Sequence, residues 1–308
     1  MKKINVIYIA GEGRSGSTLL ERMLGQHSKI FAAGEQKHIW ERSFIENQLC
    51  SCNEPFYNCP FWEQVIKHTS FSKKDAEKQI IAQQNVSRLR HFFKLKKKRK
   101  ANLYENDPNI KKIIEAHYIL YKSILETSES TYIIDASKHP VFAFILSMHP
   151  NINLHVIHLI RDLRGVAYSW TKKKVRPEIT THKELMPRYS VFRTALSWMV
   201  VNSIASQLKE YASSYTVLRY EDMVSDPKRY MTQISKHLNL PDESDQFFLS
   251  ENTVSLKENH TVSGNPMRFK TGKIVLQPDE EWKEKIKNLD LQICNLIGKK
   301  SLLDYNYV

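Results

Sequence analysis

Arg14, Glu35, Lys138 and Arg161 each follow a short apolar run, the place where a charged side chain can act on a ligand held at the end of a sheet. Arg14 lies in Gly11-Glu12-Gly13-Arg14-Ser15-Gly16-Ser17-Thr18, between the apolar stretch Ile4–Ala10 and a helical pattern carrying Leu19, Leu20, Met23 and Leu24. A strand, a glycine-rich turn and a helix N-terminus make an anion cradle. Unpaired backbone N–H groups point into the turn, and the helix dipole adds roughly half a positive charge. The natural occupant is a phosphate or a group like it. In the nucleoside-triphosphate version, G-x-x-x-x-G-K-[ST], a Lys reaches the terminal phosphates. Here Gly11 and Gly16 keep the spacing, but Ser17 takes the Lys position and Arg14 is the only cation in the loop. That weighs against metal-bound γ-phosphate chemistry.

Glu35 closes the short run Ile30–Ala33 and is followed by Gln36, Lys37 and His38. Lys138 stands between the strand pattern Thr131–Asp135 and Pro140, which suits the first turn of a helix over Val141–His149. Arg161 follows the apolar run Leu154–Ile160, and Ser169 lies eight residues on, about two helical turns up. A guanidinium at a strand tip and a hydroxyl on the next helix can grip a dianion from two sides. In the alternative arrangement Arg164 faces the ligand and Arg161 pairs with a carboxylate.

These positions require strands alternating with helices, hence an α/β fold with a central, mostly parallel sheet whose C-terminal edge binds the ligand. A single domain over 1–308 is expected, with a helical insertion at about 60–130. In it Ile113, Ile114, His117, Tyr118, Tyr121, Ile124 and Leu125 mark a buried face. Thr18–Gln26 reads as the first helix. Further on, Tyr189–Tyr211 is expected to bury Phe192, Leu196, Met199, Val200, Ile204 and Leu208, with Trp198 and Asn202 off that stripe. The last helix is expected to dock through Trp282, Ile286, Leu289, Ile293 and Leu296.

The formal charge is +13 over 308 residues, and eight cations fall in the acid-free run Arg88–Lys100. The rest is only mildly basic, so a nucleic-acid footprint is not implied. The run, interleaved with Phe92, Phe93 and Leu95, is either a solvated face or a contact for an acidic acceptor or an anionic membrane surface. No apolar stretch is long enough for a membrane span. Met1-Lys2-Lys3 with its short apolar run lacks a signal-peptide cleavage site, and four cysteines are too few for a secreted disulfide scaffold. A soluble cytoplasmic location is the expectation. Cys50, Cys52 and Cys59 form a C-x-C…C group whose fourth metal ligand is not evident, with His38 or His68 as candidates. A disulfide-closed loop and packed thiols are the alternatives.

In their order along the chain these motifs resemble the sulfotransferases that use 3′-phosphoadenosine 5′-phosphosulfate (PAPS), including their bacterial, carbohydrate and tyrosylprotein branches. Arg14–Leu20 (RSGSTLL) is similar to their 5′-phosphosulfate loop, and Arg161 with Ser169 to their 3′-phosphate motif. Ser137-Lys138-His139-Pro140, Arg219-Tyr220-Glu221-Asp222 with Asp226-Pro227, and Gly264-Asn265-Pro266-x-Arg268 resemble three later elements. Leu163 departs from the family, many members having Pro there.

The resemblance implies a P-loop-like fold and sulfuryl transfer from PAPS, leaving adenosine 3′,5′-bisphosphate (PAP), to an acceptor hydroxyl or amine. It implies that Arg14, Ser15, Gly16, Ser17, Thr18 and Leu19 hold the phosphosulfate, with Arg14 also serving catalysis. Arg161 and Ser169 would take the 3′-phosphate, Tyr220 would touch the nucleotide, and Arg268 would belong to a loop closing over it. Lys173 matches a cationic position of one branch. Lys138 would neutralise charge on the leaving oxygen, and Glu35 would take the acceptor proton, with His38 as rival base. In-line transfer needs positioning and cations around the bridging oxygen, which Lys and Arg supply without a metal. The acceptor class stays open, carbohydrate among its members. The competing readings are a P-loop small-molecule kinase and a basic, non-catalytic anion- or nucleic-acid-binding module.

Overall fold

The computed structural model describes residues 3–179 and 184–308. Strands β1 (Ile4–Ala10), β2 (Ile30–Ala32), β3 (Tyr132–Lys138), β4 (Ile152–Ile160) and β5 (Ser214–Arg219) form one sheet in the order β2-β3-β1-β4-β5. Every neighbouring pair is parallel. Central β1 shows why. Its side chains alternate between two cores, Val6 and Tyr8 entering one and Ile7 and Ile9 the other, so both faces demand helical cover.

That cover comes from α1 (Ser17–Leu24) and, between β2 and β3, from α2 (Pro60–Thr69), α3 (Lys73–Val86), α4 (Phe92–Lys100) and α5 (Pro108–Ser128). Then follow α6 (Pro140–Leu146), α7 (Leu163–Thr171), α8 (Val191–Gln207), α9 (Tyr220–Ser225) and α10 (Pro227–His237). A small antiparallel sheet of β6 (Phe248–Ser250), β7 (Thr253–Leu256) and β8 (Gly272–Val275) packs beside α1. Helices α11 (Glu281–Lys285) and α12 (Asn288–Asp304) end the chain. The expected α/β fold with a parallel sheet is the fold observed. Among the described residues no helix is long and apolar enough to cross a membrane.

Helix α5 buries the face its periodicity predicts. Two other helices do so only in part, Ile204, Leu208 and Ile293 packing as expected. On α8, Phe192, Leu196 and Val200 are exposed, whereas Ala195 and Trp198 are buried against α7 and α12, Asn202 meets His158 of β4, and Ala205 joins the core that Val6 and Tyr8 enter. On α12, Leu289 and Leu296 are exposed and Cys294, Gly298 and Leu302 face inward. A Cβ on Gly298 would sit 2.5 Å from Leu163, so close helix approach has selected small residues over large ones. In the basic run, Phe92 and Leu95 enter the core while Phe93 stays exposed. Arg99 lies over Phe144 and Tyr211 and bonds Ser147, and Lys98 pairs with Asp107. Much of the apolar component of that run is therefore spent on folding.

Three strand ends meet at the C-terminal edge. The β1–β3 register slips after Tyr8, placing Lys138 opposite Ala10. Lys138 adopts a left-handed backbone (φ 68°), and its carbonyl accepts from Gly11 N at 3.0 Å. A side chain on Gly11 would put its Cβ 2.2 Å from the Leu159 carbonyl oxygen, so β4 tolerates only glycine there.

Candidate active site

The turn between β1 and α1 carries Arg14 at φ 68° and Gly16 at φ 89°. Gly16 caps α1 without a side-chain hydrogen bond to the first N–H groups, and a Cβ there would strike the Tyr220 ring at 2.5 Å. The Arg14 guanidinium lies 4.7 Å over Trp170, and its Nη2 is 3.3 Å from Met186 Sδ. Arg14 Nε and Ser15 Oγ are buried and find no hydrogen-bond partner among the described residues.

Arg161, at the tip of β4, is buried. Its Nη1 donates to the Arg14 carbonyl at 3.1 Å, Nη2 donates to the Asp279 carbonyl at 3.1 Å, and the guanidinium lies 4.6 Å over Tyr220. The Asp279 carboxylate pairs with Nη2 at 3.1 Å. Trp198 sets this tip from behind, its Nε1 donating to the Arg161 carbonyl at 3.0 Å. Arg164 is occupied elsewhere, paired with Asp162 at 2.6 Å and donating to the Tyr307 carbonyl. Of the alternative arrangement, Arg161 does pair with a carboxylate, but Arg164 does not line the cavity.

Across the turn, Lys138 Nζ donates to Glu35 Oε1 and, at 3.1 Å, to the Ala136 carbonyl. Arg42 lies 3.5 Å from Glu35 Oε2, brought there by a π-helical turn over Ile39–Ile45. Burial pushes the Glu35 carboxyl up, but Lys138 and Arg42 outweigh it and hold it at about 2. His38 is pushed well below the usual histidine range by burial, then by Arg42 and Lys37, so its imidazole is neutral at pH 7. Asp135, fully buried, accepts from Tyr121 Oη at 2.6 Å, from Ser137 N at 2.8 Å and from the Gln36 backbone at 3.3 Å. It thereby locks the turn after Glu35 to the end of β3.

One cavity of about 470 Å³ is lined by Arg14, Gly16, Ser17, Thr18, Leu19, Glu35, His38, Lys138, Arg161, Ser169 and Tyr220. Those sequence candidates thus share a wall. Three others stand off it. Ser15 is buried behind the loop. Lys173 is exposed and does not line the cavity, whereas Lys174, the next residue, does. Arg268 is fully buried and spends its guanidinium on the carbonyls of Thr261 (3.0 Å) and Leu49 (2.8 Å), while Gly264, Asn265 and Met267 of the same loop reach the cavity. Sequence reasoning passed over Lys174, Asp279, Asp135 and Trp198. Asp135 ends a strand beside Ser137-Lys138, a signal that was available; the others lie on no motif.

A neighbouring cavity of about 340 Å³ shares His38, Lys138, Trp170 and Tyr189 with the first and adds Arg193 and Ser197. Its rings, Trp170 and Tyr189, stand 4.7 Å apart, and Arg193 lies 4.0 Å over Tyr189. The cysteine group sits outside both cavities. Its fourth member is His260, and neither His38, in the cavity wall, nor His68, beside Thr127, joins it.

The profile of the sulfotransferase family matches residues 6–244. A search of solved structures finds the sulfotransferase domain of the olefin synthase of Synechococcus PCC 7002, with a TM-score of 0.50, 17% identity and coverage of 97% of this chain and 96% of that one. The sulfotransferase domain from the curacin biosynthetic pathway gives a TM-score of 0.53 at 15% identity, covering 97% and 99%. At such identities the likeness is one of fold. Among curated proteins, Carbohydrate sulfotransferase 4 of Mus musculus is 29% identical over 103 residues, 30% of this chain and 26% of the mouse protein.

Proposed function

The chain belongs to the sulfotransferase family, and from that premise we propose that it transfers the sulfuryl group of PAPS to an acceptor hydroxyl, a carbohydrate hydroxyl first among the candidates. The observation that carries this reading is the meeting of two anion grips in one cavity: the turn bearing Arg14, and Arg161 with Ser169, beside the Glu35–Lys138 pair. The open N-terminus of α1, with the buried Arg14 Nε beside it, fits a phosphosulfate.

PAPS supplies the sulfuryl group and a good leaving oxygen. Ser17, Thr18 and the turn amides would hold its phosphosulfate, Arg161 and Ser169 the 3′-phosphate, and Tyr220 the nucleotide edge. Glu35 accepts the acceptor proton while the acceptor oxygen bonds to sulfur. The old S–O bond breaks, and its electron pair passes to the bridging oxygen, where Lys138 holds the charge. Moving Lys138 from Glu35 to that oxygen frees the carboxylate and strengthens it as a base. Neutral His38 lines the same cavity and is the rival acceptor of that proton. The second cavity, with Trp170 and Tyr189 as apolar faces and Arg193 at its side, suits the acceptor. The mouse relative named above is a carbohydrate sulfotransferase, which favours a sugar.

Thermal shift with PAP, Mg-ATP and AMP tests the donor. PAP should stabilise the protein far more than AMP. Equal shifts with PAP and AMP, or a preference for Mg-ATP, would reject the reading in favour of a kinase. Transfer of labelled sulfuryl from PAPS to a panel of glycans then tests the acceptor class.

A further inference from the structure

We propose that Cys50, Cys52, Cys59 and His260 form a structural zinc site that fastens the loop over the donor cavity. The three sulfurs and His260 Nδ1 all lie within 4.8 Å of one another. The Cys52–Cys59 and Cys59–Cys50 sulfur distances are both 3.6 Å, and His260 Nδ1 stands 3.3 Å from Cys59 Sγ and 3.9 Å from Cys50 Sγ. Tetrahedral zinc with Zn–S near 2.3 Å and Zn–N near 2.0 Å requires ligand edges of about 3.8 and 3.5 Å. Four atoms therefore already stand near the corners of one coordination shell. A disulfide would bring two of the sulfurs to about 2.05 Å and strand the third; all three are free thiols.

The surroundings fit a metal-bound set of thiolates. Cys50 and Cys52 ride on a tight turn in which Cys50 N donates to the Glu54 carbonyl at 2.8 Å and Asn53 takes φ 68°. Cys59 precedes Pro60 at the first turn of α2, where the helix dipole favours negative charge. Backbone N–H groups of Cys52, Glu54 and Trp62 address the sulfurs of Cys50, Cys52 and Cys59 in turn. The His260 ring is stacked on Phe61 (5.3 Å, 11°), and its carbonyl accepts from Trp62 Nε1 at 2.8 Å. Two shells are thus fixed before any ion enters. Three thiolates with one imidazole are a soft donor set that takes zinc in a closed tetrahedron, with loss of three thiol protons to solvent.

The site joins two segments far apart in sequence. Ser51 N donates to the Thr261 carbonyl (3.1 Å) and Ser51 Oγ to the Asn259 carbonyl (2.7 Å), while Val262 N donates to Ala33 and its carbonyl accepts from Glu35 N. Two residues further on, Gly264 and Asn265 line the donor cavity. The ion would bolt this strip in place without touching substrate.

The full chain, purified without chelator, should hold about one zinc per chain by mass spectrometry after gel filtration. In a C294S background the three remaining thiols should resist alkylation until a strong chelator is added, and the melting temperature should fall with the metal. Cobalt reconstitution should give an intense thiolate-to-cobalt charge-transfer band. C59S should lose the metal, and H260A should weaken its binding at least tenfold while remaining folded by circular dichroism. Absence of zinc with thiols equally reactive before and after chelation would overturn the site. So would a disulfide in the intact mass, stoichiometric iron in place of zinc, or full zinc retention in H260A. None of these readouts depends on the donor or acceptor assignment, so a failure here leaves the transferase reading standing.

Discussion

Arg161 donates from Nη1 to the backbone carbonyl of Arg14 at 3.1 Å, tying the tip of β4 to the turn between β1 and α1. The two proposed anion grips are thereby held at one fixed separation, which is what a nucleotide phosphorylated at both ends of its ribose requires. Arg161→Ala should lower PAP affinity by about 10–100-fold, the worth of a charge-assisted bond of about 1.5–3 kcal/mol, and should erase the preference for PAP over AMP. Calorimetric titration of both nucleotides checks it; an unchanged preference would place the 3′-phosphate elsewhere.

Asp279 occupies the other side of the same guanidinium, with its carboxylate 3.1 Å from Nη2. An incoming phosphate competes with it for one cation. Asp279→Asn should therefore tighten PAP binding several-fold, most clearly at low salt where the carboxylate repels the ligand. Weaker binding would mean that Asp279 is needed to aim Arg161.

Glu35 is held at about 2, so it is ionised throughout the ordinary carboxylate range, and His38 is neutral. The profile of kcat/KM against pH should show no acid limb near 6.5, the approximate value of an unperturbed histidine. Glu35→Gln should slow a single turnover by about 10²–10⁴-fold with little effect on PAP affinity. His38→Ala measured alongside tells whether the imidazole relays the proton. Lys138→Ala should reduce turnover far more than donor affinity; equal losses would make Lys138 a binding residue only.

Glu21 accepts from Gly34 N, and burial, only partly offset by that bond and by Lys138, raises its carboxyl to about 8. A raised carboxyl binds its proton more tightly folded than unfolded. Its contribution is complete below the unfolded value of about 4.3 and is lost as pH climbs through about 8. Glu21→Gln keeps the acceptor oxygen for Gly34 and removes the titration. The variant should lose less stability than the parent between pH 5 and 8 in denaturant titrations, and identical slopes would refute the assignment.

Strand ends announced the site because a buried parallel strand is a continuous apolar run, and the residue after it has nowhere to go but the ligand edge. Arg14, Glu35, Lys138 and Arg161 were all legible this way. The face of α8 was not. Phe192, Leu196 and Val200 form the stronger apolar stripe, yet Trp198 and Asn202 turn inward because each has a polar partner waiting, the Arg161 carbonyl and His158. Periodicity weighs hydrophobicity and ignores hydrogen bonds and closeness of approach, so it could not see that the helix serves the arginine. His260 escaped for another reason: it lies some two hundred residues from the cysteines, and only the fold brings it to them.

Arg14 and Lys138 both bear their charge on a left-handed backbone, where a side chain costs about 1–2 kcal/mol and glycine costs little. At Arg14 glycine would relieve that strain, whereas at Lys138 it would also strip the buried Glu35 carboxylate of a partner. Selection for heat resistance alone would consequently drift toward glycine at the first place only, and the hardened protein would keep its shape while losing a cation of the cavity wall.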